Sequence, residues 1–313
     1  MGEIISPTSS YSATLTATPQ TRTEAAQDGT LMSQPLDPVI RDLWHVAGVA
    51  EQVPAGGRLG TTLFDAPLTL ARAADGTPSI TADRPLPVLE RYGFLWTSLG
   101  EPKPLFAIPE YDEPDRKNVC TGSVGIRVSA PRAIENFLDM GHFPFVHTGL
   151  LGEEPHTEVK EYTVTVDDTK DEVVATECRF WQPQAAAAST GGAEVEYVYR
   201  VPHPFCAVLY KTSAPDPARF DAIALFVQPV SEERVIGHPM MSIVDDVSST
   251  GAIRRFQLTI FGQDKPILEN QQPRRLPLDP RAETPIRADK SSIAYRRWLT
   301  AKGLRYGVIP AAC

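Results

Sequence analysis

Glu194-Val-Glu-Tyr-Val-Tyr-Arg-Val201, Cys206-Ala-Val-Leu-Tyr-Lys-Thr212 and Ala222-Ile-Ala-Leu-Phe-Val-Gln-Pro-Val230 follow one another with hairpin-length gaps between them. Each run is short, rich in β-branched and aromatic residues, and bounded by Gly, Pro, Asp or Ser, which is the pattern of a strand. Working outward, Glu158–Val166 and Glu172–Phe180 precede them and Val235–Ile243 follows. Six such strands predict one curved antiparallel sheet. A further strand is expected over Gly122–Val128 and a short helix over Arg132–Gly141. Beyond the sheet, Phe256, Ile260 and Ile267 mark a helical stripe that Pro266 should kink. A last helix is expected from Asp289 as N-cap to Gly303 as stop, burying Ile293, Tyr295, Trp298 and Leu299. The fold class is therefore α+β, an antiparallel sheet gripping C-terminal helices around a cavity suited to a small ligand.

Three regions are expected: a tail over residues 1–35, a small β module over 36–115 and the main domain over 116–313. The tail is Ser-, Thr- and Ala-rich, without a period, and reads as disordered. It lacks a basic segment followed by an apolar core, so it is not read as a signal peptide and a cytoplasmic location is expected. Order should begin near Pro38. Between Arg58 and Leu99 the strands are short: Thr61-Thr-Leu-Phe64, Leu68-Thr-Leu-Ala-Arg72, a hairpin turn at Asp75-Gly76, and Tyr92-Gly-Phe-Leu-Trp-Thr97. The module is too small for an independent core and should pack on the rest. Apolar runs such as Ile223–Val227 are strand-length and none can span a bilayer. With 313 residues and a net charge of −9, the chain lacks the basic face that nucleic acid requires. Its four cysteines show no CxxC or CxH spacing, which excludes a sequence-local zinc ribbon or iron–sulfur cluster.

Chemistry concentrates in Glu135-Asn-Phe-Leu-Asp-Met-Gly-His-Phe-Pro-Phe-Val-His147, where Asn136, Asp139, His142 and His147 fall within twelve residues of a chain with six histidines. Imidazole suits zinc, copper, iron and nickel. Asp139 and His142 share one face of a helix. His142 and His147 are five apart, about 140° on a regular helix, and meet one ion only if Pro144 breaks the helix between them. The alternative is one histidine capping a helix and the other filling a polar niche. A third, carboxylate ligand would suit ferrous iron with open positions. Asp264 is the best candidate because it interrupts an apolar helical stripe. His45, His156, His203 and His238 read as structural.

Asn136-x-x-Asp139-x-x-His142-x4-His147, with Gln263-Asp264-Lys265-Pro266 downstream, resembles the catalytic domain of Rieske non-haem iron oxygenases. The resemblance runs from about Pro38 to Gly307. Trp44-His-Val and Glu90-Arg-Tyr-Gly-Phe-Leu-Trp96 look like the borders of that family's Rieske domain. It implies a helix-grip, START-like catalytic domain after a Rieske-like β module, with His142, His147 and Asp264 as the ligands of one mononuclear Fe(II). It implies that Asp139 links the iron electronically to a neighbouring cluster and that Asn136 lies near the iron.

One departure stands out. A Rieske cluster needs two Cys and two His, and the interval between Asp75 and Arg91 holds neither residue type. The truncation is similar to the Rieske-lacking N7-demethylase subunits of bacterial caffeine and methylxanthine degradation, as are Ser129–His142 and Tyr199-Arg-Val-Pro-His-Pro204. That resemblance implies no [2Fe–2S] cluster in this chain, and electrons from NAD(P)H through a separate Rieske-containing reductase. It also implies a glutathione-transferase-like accessory subunit and a homotrimer or heterohexamer. Three functions remain open: an N-demethylating monooxygenase acting on a methylated purine such as 7-methylxanthine, a non-catalytic helix-grip carrier or accessory subunit, and a hydrolytic zinc enzyme. Gln182, Gln184, Tyr199, Tyr210 and Gln228 are candidates for contacting a flat heterocycle.

Overall fold

A computed structural model describes residues 36–311. The tail expected over residues 1–35 lies outside the described residues. After a one-turn helix α1 (Pro38–Arg41), the N-terminal region carries seven strands: β1 (His45–Val49), β2 (Arg58–Leu63), β3 (Ala66–Arg72), β4 (Pro78–Thr81), β5 (Pro85–Leu86), β6 (Val88–Arg91) and β7 (Phe94–Thr97). They form a three-stranded sheet, β1-β7-β6, and a four-stranded one, β2-β3-β4-β5. Phe64, expected as a strand residue, is in the β2–β3 turn. Phe64 and Asp65 take positive φ of 51° and 64°, the backbone of a two-residue hairpin turn. Their amides donate to Pro229 O and Val230 O at 2.8 Å each, which holds this strained turn against the main sheet.

The main sheet contains β8 (Lys117–Cys120), β9 (Val124–Ile126), β10 (Thr163–Asp167), β11 (Glu172–Gln182), β12 (Ala193–His203), β13 (Cys206–Thr212), β14 (Phe220–Ser231) and β15 (Arg234–Ile243). Strands β10 to β15 follow in order as antiparallel neighbours, and both β8 and β9 pair with β15. The six strands expected from the sequence are these, except that β10 begins only at Thr163. Strand β14 is apolar on both sides because both sides are covered. Ile223, Leu225 and Val227 enter the core shared with the helices, whereas Ala222, Ala224 and Phe226 pack with Val46, Tyr92, Phe94 and Trp96 of the N-terminal strands.

The helices α2 (Ala130–Leu138), α3 (Phe143–Val146), α4 (Thr250–Asn270) and α5 (Lys290–Lys302) complete the α+β architecture. Helix α4 stays helical through Pro266. It buries Ile253, Gln257, Ile260, Phe261, Asp264 and Leu268, the spacing of one helix face. Ile267, expected on that face, is half exposed. Helix α5 has Asp289 and Gly303 at its two caps, the glycine in the left-handed region at φ 76°. Tyr295, Trp298 and Leu299 are buried as expected, and Ile293 only partly. No helix among the described residues is long and apolar enough to cross a membrane.

Candidate metal centre

Helix α2 starts at Ser129, whose hydroxyl accepts from the Arg132 amide (3.3 Å). It stops at Leu138, so Asp139 stands off the helix with extended backbone. The Asp139 carboxylate turns the chain by accepting from the Gly141 amide (2.7 Å) and from His142 Nδ1 (3.0 Å). Pro144 does not act as the breaker expected of it. It sits in the first turn of α3, where its missing N–H is not needed. His142 and His147 are therefore the residues flanking this one-turn helix, which brings their Nε2 atoms to 3.1 Å. Asp264 reaches them from α4, with Oδ1 3.1 Å from His147 Nε2 and 3.4 Å from His142 Nε2. Its neighbour Gln263 accepts from His147 Nδ1 (2.9 Å). The sequence put Gln263 beside Asp264 but gave no sign that it would grip the opposite ring. Among the described residues, these three side chains form the one group of His, Cys, Asp or Glu whose ligand atoms converge, all within 4.8 Å.

A profile of the vanillate O-demethylase oxygenase C-terminal domain matches residues 126–304. The probable methylxanthine N7-demethylase NdmC of Pseudomonas sp. (strain TJI-51) is 46% identical over 270 residues, covering 85% of this chain and 95% of that protein. The chain belongs to the Rieske-type oxygenase family. The methylxanthine N1-demethylase NdmA of Pseudomonas putida is 25% identical over 67% of the chain and 58% of its own length. Among solved structures, the fold matches NdmA with caffeine (TM-score 0.70, 19% identity, 84% of this chain and 90% of that one). It also matches dicamba monooxygenase bound to 3,6-dichlorosalicylic acid (TM-score 0.71, 17% identity, 84% and 97%).

Family membership implies a non-haem iron in this oxygenase, and the donor set fits one. Asp139 and Gln263 each engage an Nδ1–H, which leaves both Nε2 lone pairs directed at one point. Among the described residues, no hydrogen-bond donor meets Asp264 Oδ1, which is buried there. Facing lone pairs repel unless a cation lies between them. Cis ligands at ~2.1 Å from one ion sit ~3.0 Å apart, close to the separations seen. Without metal a proton takes that place. Burial lowers the His142 pKa, but hydrogen bonds and charge from Asp139 and Asp264 outweigh it and raise the ring to about 9. Burial would raise Asp264, yet the two histidines hold it far below the usual carboxylate range.

The three donors open onto a cavity of about 720 Å³, part of it open to solvent, between α4 and the inner face of the sheet. Its wall is mostly apolar, including Phe137, Leu209, Ile223, Met241 and Phe261. Asn136 and His142 also line a second, outer cleft of about 1170 Å³, where Asp139 lies. His142 thus stands between the two spaces. Of the candidate substrate contacts, Tyr199 lines the inner cavity. Gln182 is buried with its amide N donating to Leu151 O (3.2 Å) and its Oε1 without a partner among the described residues. Tyr210 accepts from Arg200 (2.9 Å) within the cluster under the N-terminal strands. Gln228 donates to Thr61 and Thr62 (2.7 and 2.9 Å) and ties β14 to β2. Gln182, Gln184, Tyr210 and Gln228 are not among the residues lining the cavity. Sequence reading missed Tyr197, Lys211, Asp221 and Gln257, which do line it. The pairing register of β12, β13 and β14 would have found the first three.

Proposed function

We propose that the chain is an Fe(II)-dependent monooxygenase that removes an N-methyl group from a methylated purine such as 7-methylxanthine. The convergence of His142, His147 and Asp264 on one point beside an apolar cavity carries this reading. The substrate class rests on the 46% identity to a probable methylxanthine N7-demethylase. A ferrous ion bound by the three donors supplies O2 activation for hydroxylation of the methyl carbon. The hydroxymethyl amine then loses formaldehyde to leave the N–H product. O2, two electrons and two protons give one hydroxyl and one water. The chain's residues have narrower tasks. Gln263 and Asp139 hold the two imidazoles in the tautomer that presents Nε2. The apolar wall excludes water and orients a flat ring by contact. Asn136 borders both the cavity and the outer cleft.

The electrons come from outside. The interval Gly76–Glu90 offers no Cys or His for a [2Fe–2S] cluster, so a Rieske-containing reductase oxidising NAD(P)H is the donor. Its iron–sulfur centre docks in the outer cleft, where Asp139 bonds His142. A glutathione-transferase-like accessory subunit, a homotrimeric or heterohexameric assembly and a cytoplasmic location belong to the same reading. The N-terminal strands are the remnant of a Rieske module (residues 36–115) joined to the catalytic domain (116–313).

The test is reconstitution. With Fe(II), NADH and a Rieske-bearing reductase, the chain should release formaldehyde from 7-methylxanthine in step with O2 uptake. His142→Ala, His147→Ala and Asp264→Ala should abolish iron binding with the fold retained. Sustained turnover on NADH and O2 without the reductase would refute the electron route. Full activity with zinc, or turnover of an unrelated aromatic acid with no purine binding, would refute the reading itself.

A further inference from the structure

Lys211 is a basic side chain buried in a largely apolar wall. It is 5% exposed and lines the same cavity as the metal-binding side chains. Among the described residues, its ammonium is hydrogen-bonded only by the Ala185 carbonyl. An ammonium has three N–H donors, so two remain for something else. Nζ also lies 5.9 Å from the centre of the Tyr197 ring. Burial lowers the Lys211 pKa to about 8, with the charge of Asp221 working against the fall.

The register explains the grouping. Lys211 pairs with Tyr197 of β12 on one side and with Asp221 of β14 on the other. Directly opposed residues of antiparallel strands point to the same face, so Tyr197, Lys211 and Asp221 form one row across the cavity wall. Asp221 is 6% exposed and accepts from the Val244 amide at Oδ1 (2.8 Å). Among the described residues, the buried hydroxyls of Tyr197 and Tyr199 find no hydrogen-bond partner. Unpaired buried polar groups are costly. These two hydroxyls, the spare donors of Lys211 and the carboxylate of Asp221 surround one space, which suits a ligand with a polar edge.

The geometry points to Lys211 and Asp221 as the residues that select the substrate, reading the adjacent C=O and N–H of a lactam edge. Lys211 donates to the carbonyl oxygen and Asp221 accepts from the ring N–H, with Tyr197 and Tyr199 bordering the same edge. This inference rests on the proposed N-demethylation and specifies it. A methyl group on the lactam nitrogen removes the donor that Asp221 needs and places carbon against a carboxylate. The preferred substrate therefore keeps its methyl group on the far ring and carries free N–H groups on the lactam ring.

The test uses the iron-loaded protein with its electron donor. Dissociation constants come from anaerobic titration, and kcat and KM from formaldehyde release. The probes are 7-methylxanthine, its 1,7- and 3,7-dimethyl homologues, and caffeine. The unaltered protein should favour 7-methylxanthine over caffeine by about 100-fold or more, as sites that hydrogen-bond an N–H reject analogues lacking it. Asp221→Asn should weaken 7-methylxanthine strongly and leave caffeine nearly unchanged, so that discrimination collapses while iron content holds, whereas Lys211→Met should cost all four purines affinity, because each keeps the carbonyl. Lys211→Gln, which keeps a donor, should retain part of that affinity. Equal affinity of the unaltered protein for all four purines would overturn the inference without need of any variant. So would an Asp221→Asn variant that weakens all four alike. Purine turnover without discrimination sinks this inference alone, whereas absence of any purine binding sinks the proposed function as well.

Discussion

Asp139 and Gln263 do the same job for different rings, yet their surroundings separate their roles. The Gln263 amide oxygen accepts from His147, whose side chain is 1% exposed, so water has little access to replace it. Asp139 is 31% exposed and lies in the outer cleft. Gln263→Leu should therefore weaken iron binding by about 10–100-fold, the usual cost of losing the partner of a metal-bound imidazole. Competition with a calibrated chelator reads this directly, and an unchanged affinity would show that the ring is held by packing alone. Asp139→Asn keeps the size and one acceptor oxygen, so iron content and substrate affinity should survive. Reduction of the iron by the partner should slow by about 10–100-fold. Stopped-flow reduction under anaerobic conditions separates this from a binding defect, and a normal rate would remove Asp139 from the electron route.

At the scale of elements, the metal centre depends on how closely α3 is held. A Cβ on Gly152 would lie 2.8 Å from Pro144 N and 2.9 Å from its Cα. Those are backbone atoms between His142 and His147, and they cannot step aside without moving one of the two. Gly152→Ala should therefore cut iron occupancy severely while unfolding remains cooperative, and elemental analysis beside a melting curve would show it. Full occupancy would mean that α3 is looser than its packing implies. Helix α2 depends on a buried network in which Arg132 and Arg296 each meet Glu135 and Glu283. Glu135→Ala leaves a buried positive charge in excess and should cost about 3 kcal/mol, read from urea unfolding. The convergence of His142, His147 and Asp264 was legible in the sequence because few residue types suit a metal ion and the two histidines lay at a telling spacing. The role given to Pro144 was wrong, since the same ring that breaks a helix interior also starts a helix, and local sequence does not say which. Lys211 and Asp221 stayed hidden because their meaning lies in cross-strand register, which pairs residues distant in the chain.

For the molecule as a whole, the strands of the main sheet were legible because alternation and turn residues are local signals. The seating of the N-terminal strands on β14 was not, because it depends on both faces of one strand. Histidines hold that junction. His45 of β1 donates to Ile40 O (2.7 Å) and packs its ring 5.3 Å from that of His203 and 4.8 Å from that of Phe64. His238 of β15 bonds Gln228, which in turn bonds β2 (3.0 and 2.7 Å). Burial depresses all three, His45 to about 4 despite its hydrogen bond, His238 to about 3, and His203 well below its ordinary value. The unfolded chain takes up these protons near pH ~6.5, whereas the folded one refuses them to about pH 4 or lower. Between those limits the unfolded state binds more protons, so stability rises with pH and is lost as pH falls. His142 has the opposite sign in metal-free protein because its pKa is raised, so the measurement belongs to the iron-loaded form. The unfolding free energy from urea titration should fall steadily from about pH 7 to about pH 5, by up to ~1.4 kcal/mol per pH unit for each ring, and the midpoint with it. His203→Phe should make the slope shallower by the share of one ring. A midpoint that stays level across that range would mean that the junction opens before the histidines charge, and that the N-terminal strands are not locked to the main sheet.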